Sequence, residues 1–195
     1  LGNTFNLSID FLTTLFYTSG SVAGVIGAIL TNRFIKKVDK RIIYGGFLSL
    51  SAILSALYYL LPPEQLVVIL ILNLIVSFFF GTVSTLQWAI YTDAADYGEW
   101  KYGRRATGLI MAASLFMLKM GLTLGGAIVG WILDLYNYVP NQPQTPEAMQ
   151  GILIMISLAP AIFGVLGGAL MIFYPLSNKM LVEMEEDLKA KRSKS

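Results

Sequence analysis

Asp93, Asp96 and Glu99 stand three residues apart, and Lys101, Arg104 and Arg105 follow close behind. At that spacing the three carboxylates share one face of a helix, where acids and bases can pair. Carboxylates set this close would also suit acid–base catalysis. The chain has no His and no Cys, however. Imidazole bases, thiol nucleophiles, disulfides and the usual zinc ligand sets are therefore missing. No other nucleophile lies near the run. The pattern reads as ionic: salt bridges of Asp93, Asp96 and Glu99 with Arg104 and Arg105, closing one end of a pathway as a gate. Neither enzyme activity nor a metal site is expected.

Lys119 is the second candidate. Of fourteen Lys and Arg residues, thirteen fall in clusters at 33–41, 101–105 and 179–194. Lys119 alone sits inside a long apolar stretch. An ammonium in hydrocarbon costs roughly 3 kcal/mol on insertion scales, so it turns toward a cavity or a partner. A structural ion pair is the bland alternative, but no carboxylate of this chain lies at its depth. At about 100° per residue, Gly108, Ala112, Leu115, Lys119, Thr123, Gly126 and Gly130 share one narrow arc. Ile110, Met117, Leu124, Ile128 and Trp131 oppose it. Lys119 is about 21–22 Å along the helix from both Arg105 and Asp134, which is near mid-membrane and beyond snorkelling reach. Lys119 and Thr123 are thus expected on a solute or ion pathway.

A similar stripe joins Asn73, Ser77, Ser84, Gln87, Trp88 and Tyr91. Hydroxyls and amides beside an aromatic plane suit sugar recognition, which places Asn73, Ser84 and Trp88 on the same pathway. Ser and Thr also bond their own helix, and Trp favours membrane interfaces, so the stripe alone leaves both readings open.

The elements that position these residues are membrane spans. With 55% hydrophobic residues the chain is too apolar for an ordinary soluble domain. No basic strip is interleaved with aromatics, so nucleic-acid binding is not expected. The apolar runs predict an all-α polytopic bundle of five transmembrane helices. These run from about Phe11 to Thr31, Ile42 to Leu61, Leu66 to Tyr91, Thr107 to Leu135 and Met149 to Tyr174. The organisation is then an extracytoplasmic segment 1–10, a bundle 11–174 and a cytoplasmic tail 175–195. Segments 32–41, 93–105 and 175–195 hold thirteen Lys and Arg residues, whereas 1–10, 62–65 and 136–148 hold none. The positive-inside rule puts the first set, and the C-terminus, in the cytoplasm. Gly20/Gly24, Gly121/Gly125, Gly126/Gly130 and Gly164/Gly168 mark close helix approaches. The tail alternates acids and bases and reads as a solvated or membrane-surface helix. A start at Leu1, in a polar segment, suggests a piece of a longer protein.

One combination of motifs is specific. Asp93-x-x-Asp96-Tyr97-Gly98-Glu99-x-Lys101, Gly103-Arg104-Arg105, Lys119-Met120-Gly121, Gly125-Gly126-Ala127, Tyr138-Val139-Pro140-Asn141 and Tyr174-Pro175-Leu176 run through nearly the whole chain. Together they resemble the glycoside–pentoside–hexuronide:cation symporters, the melibiose-permease-like branch of the major facilitator superfamily. The resemblance implies the last five helices of a twelve-helix carrier of the bacterial inner membrane. It implies a sugar substrate, symport with Na⁺ or H⁺ by alternating access, no other cofactor, and membrane lipid and an N-terminal half as partners. It gives Lys119 a place near the sugar and cation sites, and Asp93, Asp96, Glu99 and Arg105 a place in ionic contacts on the cytoplasmic side. The branch has a Gln-Thr pair where this chain has Ser114 and Leu115, and a Trp where it has Ser84, so α-galactosides are not implied. Two rivals keep the same scaffold: a non-transporting signalling or scaffold membrane protein, and a lipid carrier.

Overall fold

The computed structural model describes residues 8–192. Ser8 starts the first helix by accepting the Phe11 amide on its Oγ at 3.3 Å. Helix α1 (Ile9–Ile35) is followed by α2 (Lys40–Ala56), which tightens into a 3₁₀ turn at Leu57–Tyr59. Next come α3 (Leu66–Tyr102) and α4 (Thr107–Leu135). Thr145 caps α5 (Pro146–Ile156), with Pro146 at the first position where no amide is needed. Helix α6 (Leu158–Leu170), a 3₁₀ turn at Met171–Phe173 and α7 (Asn178–Arg192) complete the chain. Among the described residues, five stretches are long and apolar enough to cross a membrane: Ile9–Ile35, Lys40–Tyr59, Leu66–Tyr102, Thr107–Leu135 and Pro146–Phe173. They correspond to the five spans read from the sequence.

Two spans differ in form. The third does not end near Tyr91: α3 is 37 residues long and runs on to Tyr102. At a rise of about 1.5 Å per residue it is about 55 Å long and must project beyond the hydrocarbon. The acidic run, which lies past the end read for the span, therefore forms its last three turns. The helix stops at Gly103, whose φ of 69° is left-handed and whose amide donates to the Glu99 carbonyl at 2.9 Å. The fifth span is broken at Ser157. Pro160 has no amide for the Ile156 carbonyl, and its ring crowds the preceding turn. Ser157 is fully buried at the break and its hydroxyl donates to the Leu153 carbonyl.

Small residues hold two pairs of helices together. Where α1 crosses α3, a Cβ on Gly27 or Gly81 would overlap the backbone of the facing helix. Fully buried Thr82 donates to the Gly27 carbonyl there at 3.0 Å. Where α2 crosses α6, Gly164 faces Ala52, and Gly168 faces Gly45 and Ser49. Phe34, Phe47, Phe78 and Phe79 join α1, α2 and α3 through ring contacts with centroids 4.7–6.3 Å apart. Helix α4 stands apart, with none of its residues buried. Gly121, Gly125, Gly126 and Gly130, expected to mark close approaches, have no neighbour within 4 Å of an added Cβ. The pairs at Gly20/Gly24 and Gly164/Gly168 do pack, and those of α4 do not.

Candidate functional site

The three basic segments meet at one end of the bundle. Lys40 opens α2, and its Nζ lies 2.7 Å from Asp93 Oδ2 on α3. Their side chains are only 20% and 16% exposed. Arg105, just past the Gly103 turn, folds back over the same helix. Its Nη2 is 3.2 Å from Asp96 Oδ1 and its Nε is 3.7 Å from Glu99 Oε2. The Asp96 contact is ionic but not aligned as a hydrogen bond, which leaves acceptor capacity on Oδ1. Asp93, Asp96 and Glu99 thus all meet cations of this chain. Arg104 is exposed and makes no ion pair among the described residues.

The tail is docked rather than merely solvated. Asn178 ties it down: its amide donates to Asp39 Oδ1 at 3.0 Å, and its Nδ2 lies 3.1 and 3.2 Å from the Ile35 and Val38 carbonyls. Its Oδ1 accepts the Lys40 amide at 3.3 Å. Met184 and Leu188 are buried on the inner face of α7, and Trp100 Nε1 donates to Asp187 Oδ2 at 2.9 Å. Lys40, Asp93, Asp96, Leu181, Glu185 and Lys189 surround a cavity of about 250 Å³ between the tail and α3. Two groups outside the spans are electrostatically tuned here. Burial, and then the nearby Asp93 charge, raise the Tyr174 phenol above its ordinary range. The hydrogen bond from Lys189, followed by its charge, lowers the Glu185 carboxyl. Tyr174 therefore stays a neutral phenol through the physiological range, with its oxygen buried and not hydrogen-bonded.

The membrane-level residues fall into two groups. Lys119 is exposed on α4, makes no ion pair among the described residues, and offers its carbonyl to Thr123 Oγ1 at 3.0 Å. On α3, Asn73 is buried against α1 and donates to the Phe16 carbonyl at 2.8 Å, tying the two helices together. Ser84 is exposed, and Trp88 is half-exposed with its ring edge-on to Tyr91. Gln87 Nε2 donates to the Tyr91 hydroxyl at 2.6 Å. Asn73 and Ser84 lie along one groove, together with Gly20, Ser21 and Gly24 of α1.

Sequence reasoning missed Lys40 and Asn178. Lys40 was visible only as one member of the basic cluster at 33–41, and its partner is 53 residues away. Asn178 carried no signal beyond ending the polar stretch before the tail.

The family model described as MFS/sugar transport protein matches residues 4–178. YagG of Escherichia coli (strain K12) is 34% identical over 152 residues, which covers 77% of this chain and 33% of that protein. The uncharacterized symporter YnaJ of Bacillus subtilis (strain 168) is 32% identical over 187 residues, 95% of this chain and 40% of that protein. The glucuronide carrier protein homolog of E. coli (strain K12) is 33% identical over 176 residues, 88% of this chain and 38% of that protein. The chain thus spans about two fifths or less of these relatives.

Proposed function

The chain belongs to the MFS/sugar transport protein family, and on that premise we propose that it forms part of a carrier that moves a sugar together with a cation. It is an integral membrane protein of a transport family, not an enzyme. The observation that carries the proposal is α4: a membrane-length helix with no buried residue and a lysine at mid-span without a counter-charge among the described residues. A bundle that was complete in itself would bury part of that helix and pair that charge. The relatives are more than twice as long, which is consistent with further helices that cover α4 and enclose a central site.

In the complete carrier, Lys119 balances charge at the central site, beside Thr123. Ser84 and Trp88 line the solute path, and Asn73 holds α1 at its edge. The Lys40–Asp93 and Arg105–Asp96/Glu99 pairs stiffen the cytoplasmic mouth, with the C-terminus in the cytoplasm. The substrate we propose is a glycoside, pentoside or hexuronide and the coupling cation Na⁺ or H⁺; relatives named as a putative glycoside/cation symporter and as a glucuronide carrier homolog support the glycoside and glucuronide part of that reading. No other cofactor takes part, and the setting is the bacterial inner membrane.

The test reconstitutes the complete protein in liposomes and measures uptake of labelled glucosides, xylosides and glucuronides with and without an imposed Na⁺ or H⁺ gradient. Accumulation that collapses with the gradient supports symport. Lysolipid movement in place of sugar uptake would favour the lipid-carrier scaffold, and no movement of either would favour a non-transporting one.

A further inference from the structure

Gly20, Gly24 and Gly81 carry no side chains where α1 crosses α3, and a groove of about 570 Å³ runs along that crossing. The size falls in the ~300–1,000 Å³ range of small-molecule sites. Its walls include Tyr17 and Phe80, which are 70% and 61% exposed. Ser21 and Ser84 provide hydroxyls along it.

The two hydroxyls differ in what they have left to offer. Ser21 gives its proton to the Tyr17 carbonyl at 2.8 Å, so only its lone pairs remain. On α3, Ser77, Thr82, Thr85 and Thr92 each donate a hydrogen bond within the chain. Ser84 is the exception: it is exposed, and its hydroxyl makes no hydrogen bond among the described residues. Serines in membrane helices ordinarily satisfy themselves on their own backbone, and a hydroxyl left alone in hydrocarbon is costly. Depth agrees with a central position. Ser84 lies about 14 Å along α3 from Asp93, Ser21 about 21 Å from the end of α1, and Lys119 about 18 Å from the start of α4.

We propose that this groove is a sugar subsite in which the Tyr17 ring packs on a C–H face of the solute and Ser21 and Ser84 bond its hydroxyls. It rests on the sugar-transport reading and adds α1, to which that reading assigns no contact with solute. A pyranose matches the lining: hydroxyls at its edge can both donate to Ser21 and exchange with Ser84, while its faces are apolar. An acyl chain would satisfy the aromatic wall and leave Ser84 unpaired.

The test uses the complete carrier in a background without other reactive cysteines. Ser21→Cys and Ser84→Cys are labelled with N-ethylmaleimide in the presence and absence of methyl β-D-glucoside and methyl β-D-glucuronide. Met117→Cys, on the opposite face of α4 from Lys119, is the control. Saturating sugar should slow labelling at both groove positions and leave Met117→Cys unchanged. Ser84→Ala should raise KM for uptake by about three- to tenfold, the worth of one hydrogen bond. Tyr17→Phe should keep the wild-type KM and Tyr17→Ala should raise it. Labelling unaffected by sugar in a carrier that still accumulates one of these glycosides overturns the subsite alone. A carrier that accumulates none of the glucosides, xylosides and glucuronides overturns the subsite and the sugar-transport reading together.

Discussion

Removing the charge from one partner of the Lys40–Asp93 bridge should loosen the basic end of the bundle measurably. At the observed 2.7 Å, the gross attraction is about 6 kcal/mol at an effective dielectric of ~20. Both side chains are four-fifths covered, so each has given up much of its hydration, which offsets most of that gain. What survives is comparable to a charge-assisted hydrogen bond, about 1.5–3 kcal/mol. Asp93→Asn keeps the shape and a weaker acceptor, so it should fall at the low end. Lys40→Met strands a carboxylate beside the buried Tyr174 phenol and should fall higher. The readout is amide hydrogen exchange in the complete protein at Ile42 and Ile43, whose N–H groups bond the Asp39 carbonyl at 3.0 and 3.1 Å. If α2 opens through this bridge, exchange should accelerate by about 10- to 150-fold. The double variant should be no worse than the poorer single one. Strictly additive effects, with a coupling under about 0.5 kcal/mol, would show an ordinary surface pair and refute the reasoning.

Other outcomes follow from the same geometry. Gly81→Ala should sharply reduce the yield of folded protein, because its Cβ would meet the Gly24 backbone. Gly46→Ala, with open space around it, should be neutral or stabilise α2 by up to about 1 kcal/mol, as read by thermal unfolding in detergent. Leu188→Ala should undock the tail and raise exchange across α7, since truncating a buried Leu costs about 2–5 kcal/mol. Asp187→Ala removes only the exposed bond from Trp100 and should change tail exchange by less than about tenfold. A Cys at Asn141 should react with an impermeant thiol reagent from outside the cell, and one at Tyr102 only from inside; the reverse would overturn the assigned orientation.

The spans were legible because hydropathy at membrane length is a strong signal, and α4 runs from Thr107 to Leu135 as read. Hydropathy also explains the misplaced end of α3. The apolar run stops before Asp93, but the hydrogen bonds of a helix continue as long as its residues permit, and here that is as far as Gly103. The three-residue spacing of the acids already pointed that way. Pro160 was a readable break inside the fifth span, overlooked because the segment is apolar throughout. The tail's alternating charges hid a stripe of Leu181, Met184 and Leu188 at helical spacing, which packs it on α3. Lys40 with Asp93, and Asn178 with the α1–α2 turn, join residues far apart in the chain, and no local pattern records such a contact. The small-residue faces were right only where a partner helix is present. Gly126 and Gly130 on α4 have the pattern without the neighbour.

The coupling role of Lys119 is tested by Lys119→Ala in the complete carrier, reconstituted in liposomes and assayed for sugar accumulation under an imposed Na⁺ or H⁺ gradient. The variant should insert at near wild-type levels, since an exposed mid-span lysine contributes little to folding of this bundle. It should lose gradient-driven accumulation while the wild type concentrates sugar. Accumulation by Lys119→Ala at the wild-type rate and extent, coupled to the same cation, would rule out a coupling role and leave Lys119 a tolerated structural charge.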